Sequence, residues 1–283
     1  MAGLKDKAAL NDGVKMPRFG LGVYLVKEGA EVENSVRYAL EAGYRLVDTA
    51  AFYKNEAGVG KAIRESRIPR EEIFVTTKLW NSDHGYEKAI RACEKSLKLL
   101  GMDYIDLYLI HWPGLNRDDR LAAWEAILKL KEQQKIRSAG VSNFKPHHIE
   151  DLISEHGVTP SVDQVELHPF NSQTELRRYA KEKSIIITAW GPLFHGHLSE
   201  APATLNAIGG KYGKTGAQAV LRWHLQNGIS IIPKSVKKHR IIENADIFDF
   251  ELSDEDMKVI DGLNKDKAYG PDPDIMDFGF VNI

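Results

Sequence analysis

The stretch "YRLVDTAAFYKNE" (Tyr44–Glu56) runs from a short apolar strand, through an aspartate at its tip, to a tyrosine and a lysine in quick succession. A strand that only fills a core has no use for Asp48 at its end. The tip of this run therefore points to a charged site, and the rest of the chain repeats the pattern. Seven further apolar or β-branched runs alternate with helical stretches: "RFGLG" near Phe19, "IFVTTK" to Lys78, "IDLYLIH" to His111, "IRSAGVSN" to Asn143, "SVDQVE" through Gln164, "IIITAW" to Trp190 and "ISIIPKS" to Ser235.

The intervening stretches carry helix signals. Residues 30–42 put Val32, Val36, Ala39 and Leu40 on one face and stop at Gly43; Pro146 opens a helix through Ile149, Leu152 and Ile153 that ends at Gly157. Thr215 with Gln218 reads as a capping box ahead of Val220, Leu221 and Leu225, with Gly228 as the stop. Ser253 with Asp256 starts another helix, amphipathic through Met257, Ile260 and Leu263.

Eight such alternations predict an α/β fold, a parallel sheet closed into a (β/α)8 TIM barrel, with an open doubly wound sheet as the alternative. Asn11-Asp12-Gly13 predicts a hairpin covering the barrel's bottom, and the Pro- and Gly-punctuated "AYGPDPDIMDFGFVNI" predicts a tail over the mouth. In such a barrel the chemistry sits at the C-terminal ends of the strands. Those ends carry Asp48, Lys78, His111, Ser142, Asn143, Gln164, Trp190, Lys234 and Ser235.

At 283 residues the chain suits one barrel domain, residues 1–283. A hydrophobic fraction of 43% with 28% charged residues excludes a disordered chain. A net charge of -2 gives no global field for nucleic acid or an anionic membrane, so neither is expected as a partner. The lone Cys93 falls on a helix face with Ile90, Leu97 and Leu100 and reads as packing. No segment reads as a signal peptide or a membrane span, so the expectation is a cytoplasmic protein.

Four segments, "GYRLVDTAAFYKNEAGVGKAI" (Gly43–Ile63), "LGMDYIDLYLIHWP" (Leu100–Pro113), "GVSNF" (Gly140–Phe144) and "IPKSVKKHRIIEN" (Ile232–Asn244), resemble the signatures of the aldo-keto reductases in order and spacing. The likeness is strongest to the bacterial and trypanosomatid branch of glyoxal or methylglyoxal reductases, 2,5-diketo-gluconate reductases and prostaglandin F synthases. It implies NADPH-dependent reduction of small aldehydes and ketones, such as methylglyoxal, glyoxal, aromatic aldehydes or keto-sugars, by a monomer. Asp48, Tyr53, Lys78 and His111 match the catalytic tetrad, and the chemistry suits each. A phenol with a free pKa of about 10 is a weak proton donor, which a Lys78 ammonium would strengthen by stabilising the phenolate. Asp48 would hold that ammonium, and His111 would orient the carbonyl oxygen. Singly, the four could be a strand-end cap, a rim aromatic, a solvated charge and a core histidine; together at matched positions they read as a site.

The same resemblance assigns Ser142, Asn143 and Gln164 to the nicotinamide carboxamide and Trp190 to the ring, so that the pro-R hydrogen is delivered. Val23 falls near the nicotinamide ribose, Gly22 and Asp48 are further cofactor-side candidates, and Gly191, Pro192 and Leu193 pass the pyrophosphate. Lys234, Ser235, Val236 and Arg240 surround the 2′-phosphate, favouring NADPH over NADH, while Glu243 and Asn244 meet the adenine. Tyr24, Trp80, His111, Trp112 and Phe278 are the substrate-side candidates.

Departures from the family pattern include Val23 for threonine, Gly191 for the serine of "WSPL", and Phe194-His195 in the next turn. Because Trp190, Pro192 and Leu193 are kept, the backbone is expected to follow the family's path and to accept serine at Gly191. "GGKYGKT" (Gly209–Thr215) lacks the first glycine and the strand of a phosphate-binding loop. His147-His148 and His195-Gly196-His197 have no carboxylate or cysteine at a recognised ligand spacing, so no metal is expected. Two rivals differ in class: a noncatalytic NADPH-binding redox sensor, which a lost tetrad member would favour, and a metal-dependent barrel hydrolase or isomerase, which needs convergent carboxylates and histidines.

Overall fold

The computed structural model describes residues 3–276; Phe278 lies outside the described residues. The chain opens with an antiparallel hairpin, β1 (Lys7–Ala9) and β2 (Lys15–Pro17), turned through Gly13 at φ 87°. Asp12 in that turn accepts hydrogen bonds from Lys131 and Ser138, which fastens the hairpin beneath the barrel.

Eight parallel strands follow among the described residues: β3 (Leu21–Gly22), β4 (Leu46–Asp48), β5 (Phe74–Leu79), β6 (Ile105–Ile110), β7 (Ile136–Ser142), β8 (Val162–Glu166), β9 (Ile186–Trp190) and β10 (Ser230–Ile231). Each pairs with its chain neighbour. The first and last strands are short, and the ring is completed by the parallel bridges Phe19↔Ile231 and Gly22↔Lys234. A closed ring, not an open doubly wound sheet, is the outcome.

Ten α-helices wrap it among the described residues: α1 (Ala30–Glu41), α2 (Glu56–Glu65), α3 (Tyr86–Leu100), α4 (Arg117–Glu132), α5 (Pro146–His156), α6 (Thr174–Glu182), α7 (Ala203–Lys211), α8 (Gly216–Gln226), α9 (Lys238–Ala245) and α10 (Asp254–Asp261). The caps are chemical. Thr215 and Gln218 form the reciprocal box at α8, Ser253 accepts from the Asp256 N–H at α10, and Asn116 accepts from the Asp118 and Asp119 N–H groups at α4. Gly209 and Gly210 lie within α7, which removes "GGKYGKT" as a phosphate loop. Cys93 is buried in α3, and that burial pushes its thiol up to about 12. Among the described residues no helix is long and apolar enough to cross a membrane.

Strand periodicity explains how one face is both floor and site. Side chains of period two point the same way, so Leu46 and Asp48 share a face, as do Phe74, Thr76 and Lys78, Leu107 and Leu109, and Val162 and Gln164. The lower members, Leu46, Phe74, Leu107, Leu109, Val162 and Ile232, form the interior core with Leu10 and Met16 of the hairpin. One step up each strand, the same face turns polar. The alternate residues, among them Val47, Val75, Ile110, Val141 and Val165, pack outward in the helix-facing core.

Candidate active site

Asp48 and Lys78 form an ion pair at 2.6 Å, with side-chain exposures of 2% and 0%. The Lys78 ammonium also donates to the Thr49 carbonyl at 2.9 Å and lies 3.4 Å from the Tyr53 hydroxyl. A 3-10 turn, Ala51–Tyr53, carries the tyrosine back over the end of β4. Asp48 completes its coordination by accepting from Gln164 Nε2 at 2.7 Å. The His111 ring stands edge-on to Tyr53 and Trp80, with centroids at 5.6 and 5.1 Å.

Burial sets the protonation states. It pushes the Lys78 ammonium down, against the pull of Asp48, and pushes the Asp48 carboxyl up, against Lys78 and Gln164. Burial, with the charge of Lys78 beside it, drops His111 well below its usual value, so the imidazole is neutral at physiological pH. The His111 Nδ1 is buried without a partner among the described residues. A proton there would be an orphan donor, so it belongs on Nε2. The Tyr53 phenol is raised, by burial first and then by the charge of Asp48 and by Tyr24. In the resting site Asp48 offsets the ammonium charge beside the phenol.

A cleft of about 1400 Å³ opens over this centre, more than a single drug-sized ligand needs. Tyr24, Phe52, Trp80 and Trp112 wall one part, and Lys234, His239, Arg240 and Asn244 another. Between them a hydrogen-bonded chain crosses the rim. Trp190 Nε1 donates to Asn143 Oδ1 at 2.8 Å, and Asn143 Nδ2 donates to the His111 carbonyl at 2.9 Å and to Ser142 Oγ at 3.1 Å. Ser142 Oγ in turn donates to the Gln164 carbonyl at 2.7 Å. Asn143 holds this position at φ 63°, a left-handed conformation that asparagine tolerates.

Gly22, Gly191, Pro192, Leu193 and Glu243 also line the cleft, whereas Val23, Ser235 and Val236 stand back from its wall. Val23 is fully buried, and its carbonyl accepts from Asn55; Ser235 accepts from the Lys237 N–H just before α9. Lys78 stands behind Tyr53 instead of on the wall.

Two contributors escaped the sequence reading. Phe52 stacks on Trp80 at 3.9 Å and 18°. The buried Asn55 amide donates to the Val23 and Val26 carbonyls, both at 2.9 Å, while accepting from Thr49 Oγ1 at 2.7 Å, and so ties the Tyr24 loop to the turn that bears Tyr53. Their signal was adjacency to Tyr53 in the opening stretch, but a short turn has no period to reveal which way a side chain faces.

Two further readings change. Gly191 adopts φ 59°, and a Cβ there would meet His195 at 3.3 to 3.4 Å. A left-handed backbone and a tight neighbour therefore stand against the expectation that this position accepts serine. The fold also brings a carboxylate to His147 and His148: Asp274 Oδ1 lies 3.2 and 3.4 Å from their Nε2 atoms. His148 Nδ1 accepts the Lys145 N–H, so in the neutral ring the proton sits on Nε2, the nitrogen that faces Asp274.

Residues 20–265 match the description Aldo/keto reductase family. The chain belongs to the aldo/keto reductase family. It is an oxidoreductase of that family. It is 54% identical to the glyoxal reductase of Bacillus subtilis (strain 168), over 96% of this chain and 97% of that protein. It is 52% identical to the 9,11-endoperoxide prostaglandin H2 reductase of Trypanosoma cruzi (strain CL Brener), over 94% of each. Among solved structures, an aldo/keto reductase from Brucella melitensis superposes with a TM-score of 0.88 at 50% identity, covering 91% of this chain and 98% of that one. A mutant of Gox0644 in complex with NADPH gives a TM-score of 0.91 at 41% identity, covering 97% and 99%.

Proposed function

We propose that the protein reduces small aldehydes and ketones to alcohols with NADPH, and that Tyr53 gives the proton to the carbonyl oxygen. The observation that carries this reading is the Tyr53 hydroxyl, presented to the cleft with the buried Lys78–Asp48 pair behind it.

The residues present fit NADPH. Among the described residues, Lys234, His239 and Arg240 make no side-chain hydrogen bond or ion pair, and they cluster at the start of α9, where backbone N–H groups also favour an anion. Trp190 offers a flat face beside Asn143 and Gln164, the groups that would hold an amide. When bound, NADPH supplies the hydride.

The chain's own residues do the rest. Tyr53 is kept protonated by burial, so it is a donor at neutral pH. As charge develops on the substrate oxygen, the phenol releases its proton, and the ammonium 3.4 Å away stabilises the phenolate left behind. His111, neutral with its proton on Nε2, donates to the same oxygen and fixes its direction. Tyr24, Phe52, Trp80 and Trp112 exclude water and grip by surface, which suits small carbonyls of varied shape. The glyoxal reductase relative supports that substrate class.

The test pairs turnover with binding. Steady-state rates with NADPH are measured over glyoxal, methylglyoxal, aromatic aldehydes, keto-sugars and prostaglandin H2, for the wild type and Tyr53→Phe. Losing the acid is expected to lower kcat by about a hundred- to ten-thousandfold with the NADPH Kd unchanged. A variant that keeps more than about a tenth of wild-type kcat removes Tyr53 as principal acid. Tight NADPH binding without turnover of any carbonyl would favour the redox sensor.

A further inference from the structure

Asp48 is almost fully buried, and its two oxygens have separate donors: Oδ1 takes Lys78 Nζ at 2.6 Å, and Oδ2 takes Gln164 Nε2 at 2.7 Å. Gln164 is itself 3% exposed and locked in place, because its carbonyl accepts from both Ser142 Oγ at 2.7 Å and the Asn143 N–H at 3.0 Å. Its side-chain oxygen has no hydrogen-bond partner among the described residues, and the residue lines the cleft. One amide thus faces two ways.

We infer that Gln164 is a positioning residue of the proton-donating group as well as a cofactor contact: its N–H holds the second oxygen of Asp48, keeps that carboxylate ionised, and so keeps Lys78 charged behind Tyr53. A carboxylate out of water needs its lone pairs satisfied, and a buried pair left one donor short relaxes to the neutral form. Here that means a proton passing from Lys78 to Asp48. A neutral Lys78 cannot stabilise the Tyr53 phenolate.

The neighbouring groups do not replace this donor. Asp48 faces Lys78 from β5 and Tyr53 from the turn after β4. Lys78 also feels Glu56 of α2 and the neutral His111 after β6, and Tyr53 feels Tyr24. None of Glu56, Tyr24 or His111 donates to Asp48; Glu56 is itself a carboxyl, held by Thr77 Oγ1 at 2.6 Å. Gln164 is the neutral donor of the cluster.

This inference rests on the reductase reading, so the test includes a measurement independent of turnover. Gln164→Met keeps the length and loses the N–H; Gln164→Glu keeps the shape and regains a donor only when protonated. In cofactor-free protein labelled with carboxyl-13C aspartate, the Asp48 signal, assigned through Asp48→Asn, is expected to titrate at higher pH in Gln164→Met than in wild type. At saturating NADPH its kcat is expected to fall about tenfold or more, with the acid limb of the profile moved to higher pH. Gln164→Glu is expected to behave oppositely, its deficit shrinking as pH falls. Weaker NADPH binding with kcat at saturation, its pH profile and the Asp48 titration all unchanged would reduce Gln164 to a cofactor contact and overturn the inference. A shifted Asp48 titration in a protein that turns over no carbonyl would sink the reductase reading and leave the Gln164–Asp48 coupling standing.

Discussion

The Tyr53 hydroxyl lies 3.4 Å from Lys78 Nζ, while Asp48 takes the same ammonium at 2.6 Å. The shorter contact sets the resting site, and under the proposed mechanism the longer one is the contact that answers charge on the tyrosine. At rest Asp48 neutralises the lysine and burial holds the phenol protonated, so Tyr53 loses no proton to bulk water. When charge moves onto the tyrosine, the 3.4 Å contact has room to shorten. In the proposed mechanism Lys78 thus acts on the transition state more than on the ground state, which is the condition for raising kcat.

Lys78→Met removes that charge and leaves Asp48 buried without its principal partner. Carbonyl reduction is expected to fall by about a hundredfold or more. Stability is expected to acquire a pH dependence whose sign follows from burial. The Asp48 carboxyl is already raised and rises further without Lys78, so the folded state binds a proton that the unfolded chain releases near pH 4. The variant should match wild type best in acid and lose ground as pH increases. Urea titrations at several pH values check it, and a pH-independent difference would mean that losing Lys78 leaves the proton affinity of Asp48 unchanged.

Arg240→Ala tests the other end of the cleft. The guanidinium makes no hydrogen bond or ion pair among the described residues, so its removal breaks none and should leave stability unchanged. NADPH binding is expected to weaken by about tenfold to a hundredfold, the range of a charge-assisted hydrogen bond, with NADH affected far less. Fluorescence titration with both cofactors decides it. Equal losses would assign Arg240 to the scaffold.

The barrel was legible because its signal is periodic: eight short apolar or β-branched runs, of which those ending at Asp48, Lys78, His111 and Gln164 place a polar residue on the face that their apolar members share. Asp48, Lys78, His111 and Gln164 were readable for that reason. Tyr53 sits beyond a strand end and was readable only by resemblance. What stayed hidden depends on contacts between distant segments or on φ angles. Asn55 fastens Val23 and Val26 across the rim, Asp274 reaches His147 and His148 from the tail, and Gly191 takes a left-handed turn that the pattern around it did not reveal.

Asp163 offers a stability test away from the chemistry. It is fully buried, accepts only the Phe144 N–H at 3.4 Å, and leaves Oδ2 without a partner among the described residues. Burial holds its carboxyl well above the usual range. The penalty is absent below the unfolded pKa of about 4, grows as pH rises toward the folded value, and is complete above it. Asp163→Asn removes the ionisable group and is expected to stabilise the protein by about 1 to 3 kcal/mol at alkaline pH, with the gain fading in acid. Urea unfolding at several pH values measures both. A gain that did not fade in acid would point to packing, not charge.

Gly191→Ser decides whether a missing hydroxyl or a needed glycine explains this loop. A serine hydroxyl here would offer a phosphate a charge-assisted bond, on the order of 1.5 kcal/mol, which by itself would tighten NADPH. The backbone opposes it. Gly191 sits at φ 59°, where a side chain costs roughly 1 to 2 kcal/mol, and the new Cβ would press on His195 at 3.3 Å. His195 cannot easily give way: it is left-handed itself at φ 50°, its N–H closes the turn onto the Gly191 carbonyl at 3.1 Å, and its ring stands 5.1 Å from Trp190. Strain present in both free and bound protein would lower stability alone. If the free loop relaxes to escape it, binding must restore the strained path, which offsets the hydroxyl's gain. The expected outcome is a stability loss of about 1 to 2 kcal/mol with NADPH affinity unchanged or weaker. A serine variant as stable as wild type that bound NADPH severalfold tighter would show that the glycine is dispensable and that the hydroxyl is what this loop lacks.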